Sequence, residues 1–309
     1  MKKAEFKKYL ENKDLAPFTI KRFICNTELF IKRVKKEEIQ ITKVDILKHL
    51  EHLKNRGLKN NTRKIYLLSL THYFTFLYES GQITENPCLF LKIRGTKQKH
   101  LYKIYTIEEL DQLFDNYFTL FVRGYDDTHV AANIKELSAL SRERNALILS
   151  FIIYQKADLS ELEKLETNDI DLFKATVKLK GSRNSNERII HLKATQTGFL
   201  MHYLQNIRPK MAEYRTNETE KLFFAMSGSA NNDSLHNIAA KITNQIKTFD
   251  KKFLSFKHLR ASIISYWIKT YGLRKAQYLA GHRYVSSTET YLPNNLDDLK
   301  EDINKMHPF

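Results

Sequence analysis

"FKHLRASIISYWIKTYGLRKAQYLAGHRYVSSTETYL", residues 256–292, decides how this chain is read. It holds a Lys-x-x-Arg run at 257–260, a Gly-His pair at 281–282 and a tyrosine at 291, nine residues past the histidine. Singly, each has an ordinary explanation. Arg260 could bridge two helices, His282 could cap a helix after Gly281, and Tyr291 is one tyrosine among 16. Together, the spacing gathers two cations, an imidazole and a phenol on one helical stretch and the turn that follows it. His258 is one residue out of register with Lys257 and reads as a core or capping histidine.

The bulk numbers bound what such a site could serve. A chain of 309 residues suggests two domains, and 42% hydrophobic residues suffice for real cores. The longest apolar run, "ALILSFIIY" (146–154), is too short to span a bilayer, so no membrane is expected. The polar start "MKKAEFKKYLENKD" has no apolar stretch of a secretory signal. Cys25 and Cys88 have no metal-type spacing and suit a reduced cytoplasm; neither a metal nor another cofactor is expected. The net charge of +16 is uneven: residues 1–100 carry 22 Lys/Arg against 10 Asp/Glu, whereas the rest carries 29 against 25. A basic first third on a nearly balanced remainder suits a module that grips a polyanion.

With 9 Gly and 5 Pro, turns are sparse and helices should dominate. "TIKRFICNTELFIKRV" (19–34) has apolar residues near a helical period. "ITKVDILKHLEHLKNRG" (41–57) has Thr42 as N-cap before Asp45 and ends on Gly57 as a C′ glycine. "NNTRKIYLLSLTHYFTFLYESG" (60–81) is amphipathic, and "NPCLFLKI" (86–93) follows it in a four-helix pattern. "RGTKQKHLYK" (94–103) has no periodicity and reads as a linker. "YTIEELDQLF" (105–114) opens a new helix with a Thr106–Glu109 capping box. "SRERNALILSFIIYQ" (141–155) predicts a buried helix and "DLSELEKLETNDIDLF" (158–173) a shorter one. "TVKLKGSRNSNERIIHL" (176–192) alternates apolar and polar around a polar turn, a β-hairpin signal.

These motifs resemble the tyrosine recombinases, the phage-integrase type of site-specific recombinase, over nearly the whole chain. Lys257 and Arg260 in "KHLR" fit the family's His/Lys-x-x-Arg motif. "LAGH" (279–282) fits its leucine-rich turn ending in Gly-His, and Tyr291 stands where the nucleophile does. The hairpin matches the one carrying a catalytic lysine, with Arg183 at the aligned position. The resemblance implies a mainly α fold: a four-helix SAM-like core-binding domain at 1–94, a linker at 95–103, and an α-rich catalytic domain with a small antiparallel β-hairpin or sheet at 104–309. It implies a site-specific DNA recombinase, an integrase or transposase of a mobile element, acting through a 3′-phosphotyrosine without metal. The partners implied are double-stranded DNA with a specific site and a homo- or hetero-tetramer, in the cytoplasm on the nucleoid. Lys59, Arg63, Lys64, Lys97, Lys99 and Arg283 are the candidate DNA contacts. The tail "LPNNLDDLKEDINKMHPF" (292–309) resembles the C-terminal helix that docks on a neighbouring protomer.

The chemistry fits these residue types. A tyrosine attacking phosphorus conserves the phosphodiester energy in a covalent bond. Its ordinary pKa is about 10, so the transition state needs strong stabilisation. Permanently charged guanidinium forks supply that.

One position departs from the pattern. The family's first arginine aligns within "KADLSELEKLETNDID" (156–171) with Asp158, an anion where a phosphate-gripping cation belongs. Asp158 instead reads as a helix cap boxed with Glu161. Lys156, Arg142 and Arg144 are the candidate substitute cations. An active but divergent enzyme and a recombinase-like DNA-binding partner subunit are both compatible with the sequence.

Overall fold

In the computed structural model, the structure describes residues 1–95, 104–126, 128–129, 131–182, 185–215, 217–225 and 234–292. The chain divides into two compact units, Met1–His100 and Leu101–Phe309. Most of the stretch expected to be a linker, with Lys97 and Lys99, lies outside the described residues. So do Arg183 and the tail beyond Leu292.

The first unit is helical: α1 (Lys3–Glu11), α2 (Pro17–Val34), α3 (Lys43–Asn55) and α4 (Asn60–Glu79). Pro17 opens α2, where its missing N–H costs nothing and its fixed φ suits a helix. Thr42 starts α3 by donating its backbone N–H and its hydroxyl to Asp45, both at 2.9 Å. Gly57, at φ 80°, lets the chain leave α3 in the left-handed region. Phe6, Leu10, Phe30, Ile46, Tyr73 and Phe74 fill the core these helices share. The fourth helix is therefore α1, not "NPCLFLKI". There, Asn86 turns the backbone by accepting from Cys88 N at 2.8 Å and donating to Thr75 Oγ1, and Pro87 has no N–H to offer a ladder.

The second unit runs α5 (Ile107–Phe118), α6 (Ala132–Tyr154), α7 (Leu159–Leu162), β1 (Ile170–Asp171), β2 (Thr176–Leu179), β3 (Arg188–His191), α8 (Ala194–His202), α9 (Arg208–Glu213), α10 (His236–Phe249), α11 (Phe256–Ala280) and α12 (Val285–Glu289). The strands form one antiparallel sheet in the order β1-β2-β3, with Val177 opposite Ile190 and Leu179 opposite Arg188. The fold is thus mainly helical with a small antiparallel sheet, as the sequence led us to expect.

Residues 158–173 are not one helix, because α7 stops at Leu162. Beyond it, the Thr-Asn-Asp run bonds its own backbone: Asp169 accepts from Glu166 N at 2.9 Å, and Asp171 accepts from Lys174 N at 2.9 Å. Polar side chains that can do this compete with helix. Ile170 is then released to pair with Val177 as an edge strand. The main core spans α5, α6, the sheet, α8 and α10, with Leu147, Phe151, Val177, Phe223 and Ile242 at its centre. A smaller cluster, Ile263, Ile264, Trp267, Ile268, Ala276 and Ala280, lies along α11, and Tyr291 packs on it. Gly272 (φ 78°, ψ 168°) breaks α11 into two helical segments. Among the described residues, no helix is long and apolar enough to cross a membrane.

Candidate active site

α11 carries the Lys-x-x-Arg run on its first turn and ends at Gly281, whose φ of 67° allows the chain to turn back toward the hairpin. His282 follows at once. Its backbone N–H donates to Gln277 O at 3.0 Å, and its Nδ1 shares a hydrogen with Thr288 Oγ1 at 2.9 Å. Thr288 is fully buried on α12, so this bond fixes the plane of the imidazole. α12 then delivers Tyr291, whose N–H donates to Thr288 O at 3.0 Å. The phenol and imidazole rings lie nearly parallel, at 11°, with centroids 5.9 Å apart. The histidine and the tyrosine singled out by spacing therefore meet in space.

Arg260 is close by. Its Nη2 lies 3.7 Å from Asp158 Oδ2, and each side chain keeps about a quarter of its surface exposed (26% and 27%). Arg260 Nε is buried with no hydrogen-bond partner among the described residues. A guanidinium with donors to spare at a half-open position is suited to receive an anion. Lys257 is exposed on the same turn, whereas His258 is buried, 4.8 Å from the Tyr105 ring. His258 is a core histidine.

Asp158 caps α7. It accepts from Glu161 N at 3.0 Å and from Ser160 Oγ at 2.7 Å, while Glu161 Oε2 accepts from Asp158 N at 3.0 Å. Burial works to raise the Asp158 carboxyl, but these bonds and the Arg260 and Lys156 charges outweigh it and hold it below the usual range. The carboxylate is ionised, and it faces Arg260.

The three candidate substitute cations go to different places. Arg142 is buried over the Tyr125 ring, 4.1 Å from its centroid, and bonds Ser138 Oγ. Arg144 is buried against the carbonyl of Phe224 and the side chain of Asn145. Lys156 is buried at the start of the α7 turn with φ 52°, and its Nζ donates to Ala280 O at 2.6 Å. Burial first, then the nearby Arg260 and Arg188 charges, lower its pKa to about 7. His282 is pushed down to about 4, by burial first and then by Lys156, Arg260 and Arg188. Its imidazole is neutral at neutral pH, in the field of two guanidiniums and of a lysine that is itself near its midpoint.

Arg188 is a member that sequence reasoning missed. Its guanidinium, fully buried, bonds Glu161 through Nη1 at 2.7 Å and Nη2 at 3.1 Å, and its Nε donates to Leu279 O at 2.9 Å. The signal was in the hairpin. Arg188 shares the inward phase of β3 with Ile190, so the alternation already placed a charge in the core. Of the candidate DNA contacts, Lys59, Lys64 and Arg283 are exposed, and Arg63 is half-buried with its Nη2 on Asn60 Oδ1 at 2.6 Å.

Comparison with known proteins gives this geometry a family context. No family model matches the chain. Curated relatives do so along nearly its whole length: the tyrosine recombinase XerC of Oceanobacillus iheyensis is 24% identical over 98% of this chain and 94% of its own. XerC of Haemophilus influenzae is 25% identical over 96% and 93%, and the tyrosine recombinase XerD of Staphylococcus saprophyticus 23% over 92% and 88%. Among solved structures, the XerH site-specific recombinase bound to palindromic difH substrate superposes with a TM-score of 0.65 at 19% identity, over 91% of this chain and 77% of that one. A lambda integrase dimer bound to a COC′ core site gives 0.61 at 16% identity, over 95% and 76%. These comparisons point to one class: the chain is similar along nearly its whole length to proteins named tyrosine recombinases, and its fold is similar to theirs. Within that class, the curated relatives named above are Xer proteins.

Proposed function

We propose that the chain is a site-specific DNA recombinase that cuts and rejoins double-stranded DNA through Tyr291. The observation that carries this reading is the parallel stacking of Tyr291 on His282 beside Arg260, a guanidinium with unused donors. Tyr291 Oη gives up its proton and bonds the scissile phosphorus, the bond from phosphorus to the 5′ oxygen breaks, and that oxygen takes up one proton, so the strand leaves with a 5′ hydroxyl. The phosphate stays on the 3′ end as a phosphotyrosine. Arg260 holds the non-bridging oxygens. His282, neutral and fixed by Thr288, steadies a phosphoryl oxygen or carries the phenolic proton. Lys156 adds positive charge from beneath, as a field and not as a contact. Lys257, exposed on the first turn of α11, supplies a further cation, and Arg183, at the aligned position of the family's hairpin lysine, is the candidate to assist the leaving oxygen. No resident metal is needed for this sequence of steps.

The first unit, with Lys59, Arg63 and Lys64, serves as the core-binding domain, and Arg283 and the basic linker residues Lys97 and Lys99 add phosphate contacts. The assembly on DNA is a tetramer of this chain or of this chain with a sister protein. Its task is movement of a mobile element. The last point is supported by likeness in fold to the Tn1549 transposon integrase in complex with a circular intermediate DNA, with a TM-score of 0.61 at 12% identity.

A second reading is favoured by one observation. Asp158 puts a carboxylate 3.7 Å from Arg260, as in a DNA-binding subunit whose own catalysis is impaired. One experiment separates the two. DNA fragments retained by the protein from its source genome are recovered, nicked within the protected segment, and incubated with wild type and Tyr291→Phe. The expected result is a denaturation-resistant protein–DNA adduct with wild type and none with Tyr291→Phe, while both bind DNA alike. Binding without any adduct supports the second reading, and adduct formation by Tyr291→Phe overturns the nucleophile assignment.

A further inference from the structure

The carbonyls of Leu279, Ala280 and Gly281 end the helix that delivers His282. Each is taken by a donor, two from the hairpin and one from the turn before α7. Leu279 O accepts from Arg188 Nε at 2.9 Å, Ala280 O from Lys156 Nζ at 2.6 Å, and Gly281 O from Asn186 N at 2.9 Å. Helix C-terminal carbonyls lack partners of their own, and cations are their preferred ones. Here two of the three donors are buried cations, so the end of α11 is fastened both to the hairpin and to the α7 turn.

Arg188 differs from Arg260 in one decisive respect. Its Nε, Nη1 and Nη2 are all engaged, the last two by a fully buried carboxylate. Its side chain is also fully buried, so it offers no surface to a phosphate. A Cβ added at Gly281 would run into the Arg188 guanidinium, so the glycine is required by contact as well as by its φ of 67°. His282 is covalently next to that contact, and Tyr291 stacks on His282. Glu161, which holds the guanidinium, also closes the capping box on Asp158. One buried pair thus touches the turn bearing the imidazole and the turn facing Arg260.

We propose that Arg188, locked by Glu161, is a positioning residue: it fixes the Leu279–Gly281 turn so that His282 stands over Tyr291 in register with Arg260. The inference rests on the recombinase reading above, but its test can fail separately. A buried ion pair can often be replaced by apolar residues of similar size with little loss of stability, whereas removal of one partner strands a charge. The informative variant is therefore the double change Arg188→Met with Glu161→Met, compared with Arg188→Lys. The readouts are the thermal midpoint, DNA affinity, the rate of Tyr291 adduct formation at saturating DNA, and the His282 imidazole titration followed by NMR.

The double variant is expected to fold and to bind DNA within about twofold of wild type. Its adduct rate should fall at least tenfold, and its imidazole should titrate at higher pH, because the turn no longer holds it in place. Arg188→Lys, which keeps a charge but cannot make the fork, should recover only part of the rate. A double variant with the wild-type adduct rate and imidazole titration overturns the proposal. So does a double variant that unfolds, since the pair would then hold the domain and not the turn. If wild type itself forms no adduct, the recombinase reading has failed, and the imidazole titration still decides whether Arg188 sets His282.

Discussion

At the residue scale, the question is what a carboxylate does in the proposed phosphate site. Asp158 is integrated into its surroundings: it caps α7, takes a hydrogen bond from Ser160, and faces Arg260. An arginine at this position would lose the cap, at about 0.5–2 kcal/mol, and would set a third guanidinium among Arg260, Arg188 and Lys156. We therefore expect Asp158→Arg to leave the rate of adduct formation no higher than wild type, and Lys156→Met to lower it by about 10-fold or more. A large gain from Asp158→Arg with no loss from Lys156→Met would show a site that is merely depleted. A second residue-scale consequence lies in the first unit. His49 is buried, both of its ring nitrogens lack hydrogen-bond partners among the described residues, and its ring meets Phe30 edge-on at 5.0 Å. Burial first, then the Arg33 charge, lowers its pKa to about 4. The folded-state value lies below the ordinary one, so the unfolded chain binds the proton first as pH falls below about 6.5. Stability contributed by neutral His49 is lost between there and about pH 4, on the order of 1–2 kcal/mol. Thermal melts at pH 7 and pH 4.5 should show a smaller drop for His49→Leu than for wild type.

Elements were legible wherever local chemistry and packing agree. The capping boxes at Thr42, Thr106 and Asp158 all start helices, because a side chain that satisfies orphan N–H groups needs no distant partner. The hairpin was legible from its alternation. Three features were not. α1 has only Phe6 and Leu10 buried, too few apolar positions to mark a period against its lysines. β1 is two residues long and exists only through its pairing with β2. The break in α11 comes from a single glycine inside an otherwise helical pattern, and the same residue could have been tolerated in a continuous helix. In the site, the register of Arg260, His282 and Tyr291 could be read, since it depends on spacing along one segment. The Arg188–Glu161 pair joins residues 27 positions apart on separate elements, and neither partner announces the other.

For the whole molecule, the division of charge is the feature with the clearest physical outcome. A first unit rich in lysine beside a nearly neutral second unit should bind duplex DNA by displacing its counterions. Each phosphate neutralised contributes about −0.9 to the slope of log affinity against log salt. We expect a steep negative slope for the full chain, lowered by about one for each of Lys59→Ala and Lys64→Ala if each meets one phosphate. Filter binding across a range of salt concentrations measures this. A slope near zero would contradict a backbone-gripping role for the first unit.

Between His282 and Tyr291 runs α12, a single short helix of five residues, Val285–Glu289. It works as a phase setter. Each helical residue advances the chain by about 100° around the axis and 1.5 Å along it, so the angular position of the phenol is quantised by the residue count of this helix. One alanine inserted after Ser286 would swing Tyr291 about a quarter-turn off the imidazole. Four inserted residues would nearly restore the angle while displacing the phenol by about 6 Å. Neither insert touches a catalytic side chain, yet both are expected to abolish the covalent adduct and leave DNA binding intact. The nine-residue interval that first drew attention to the segment is, in these terms, an angle and a distance written as a number of residues.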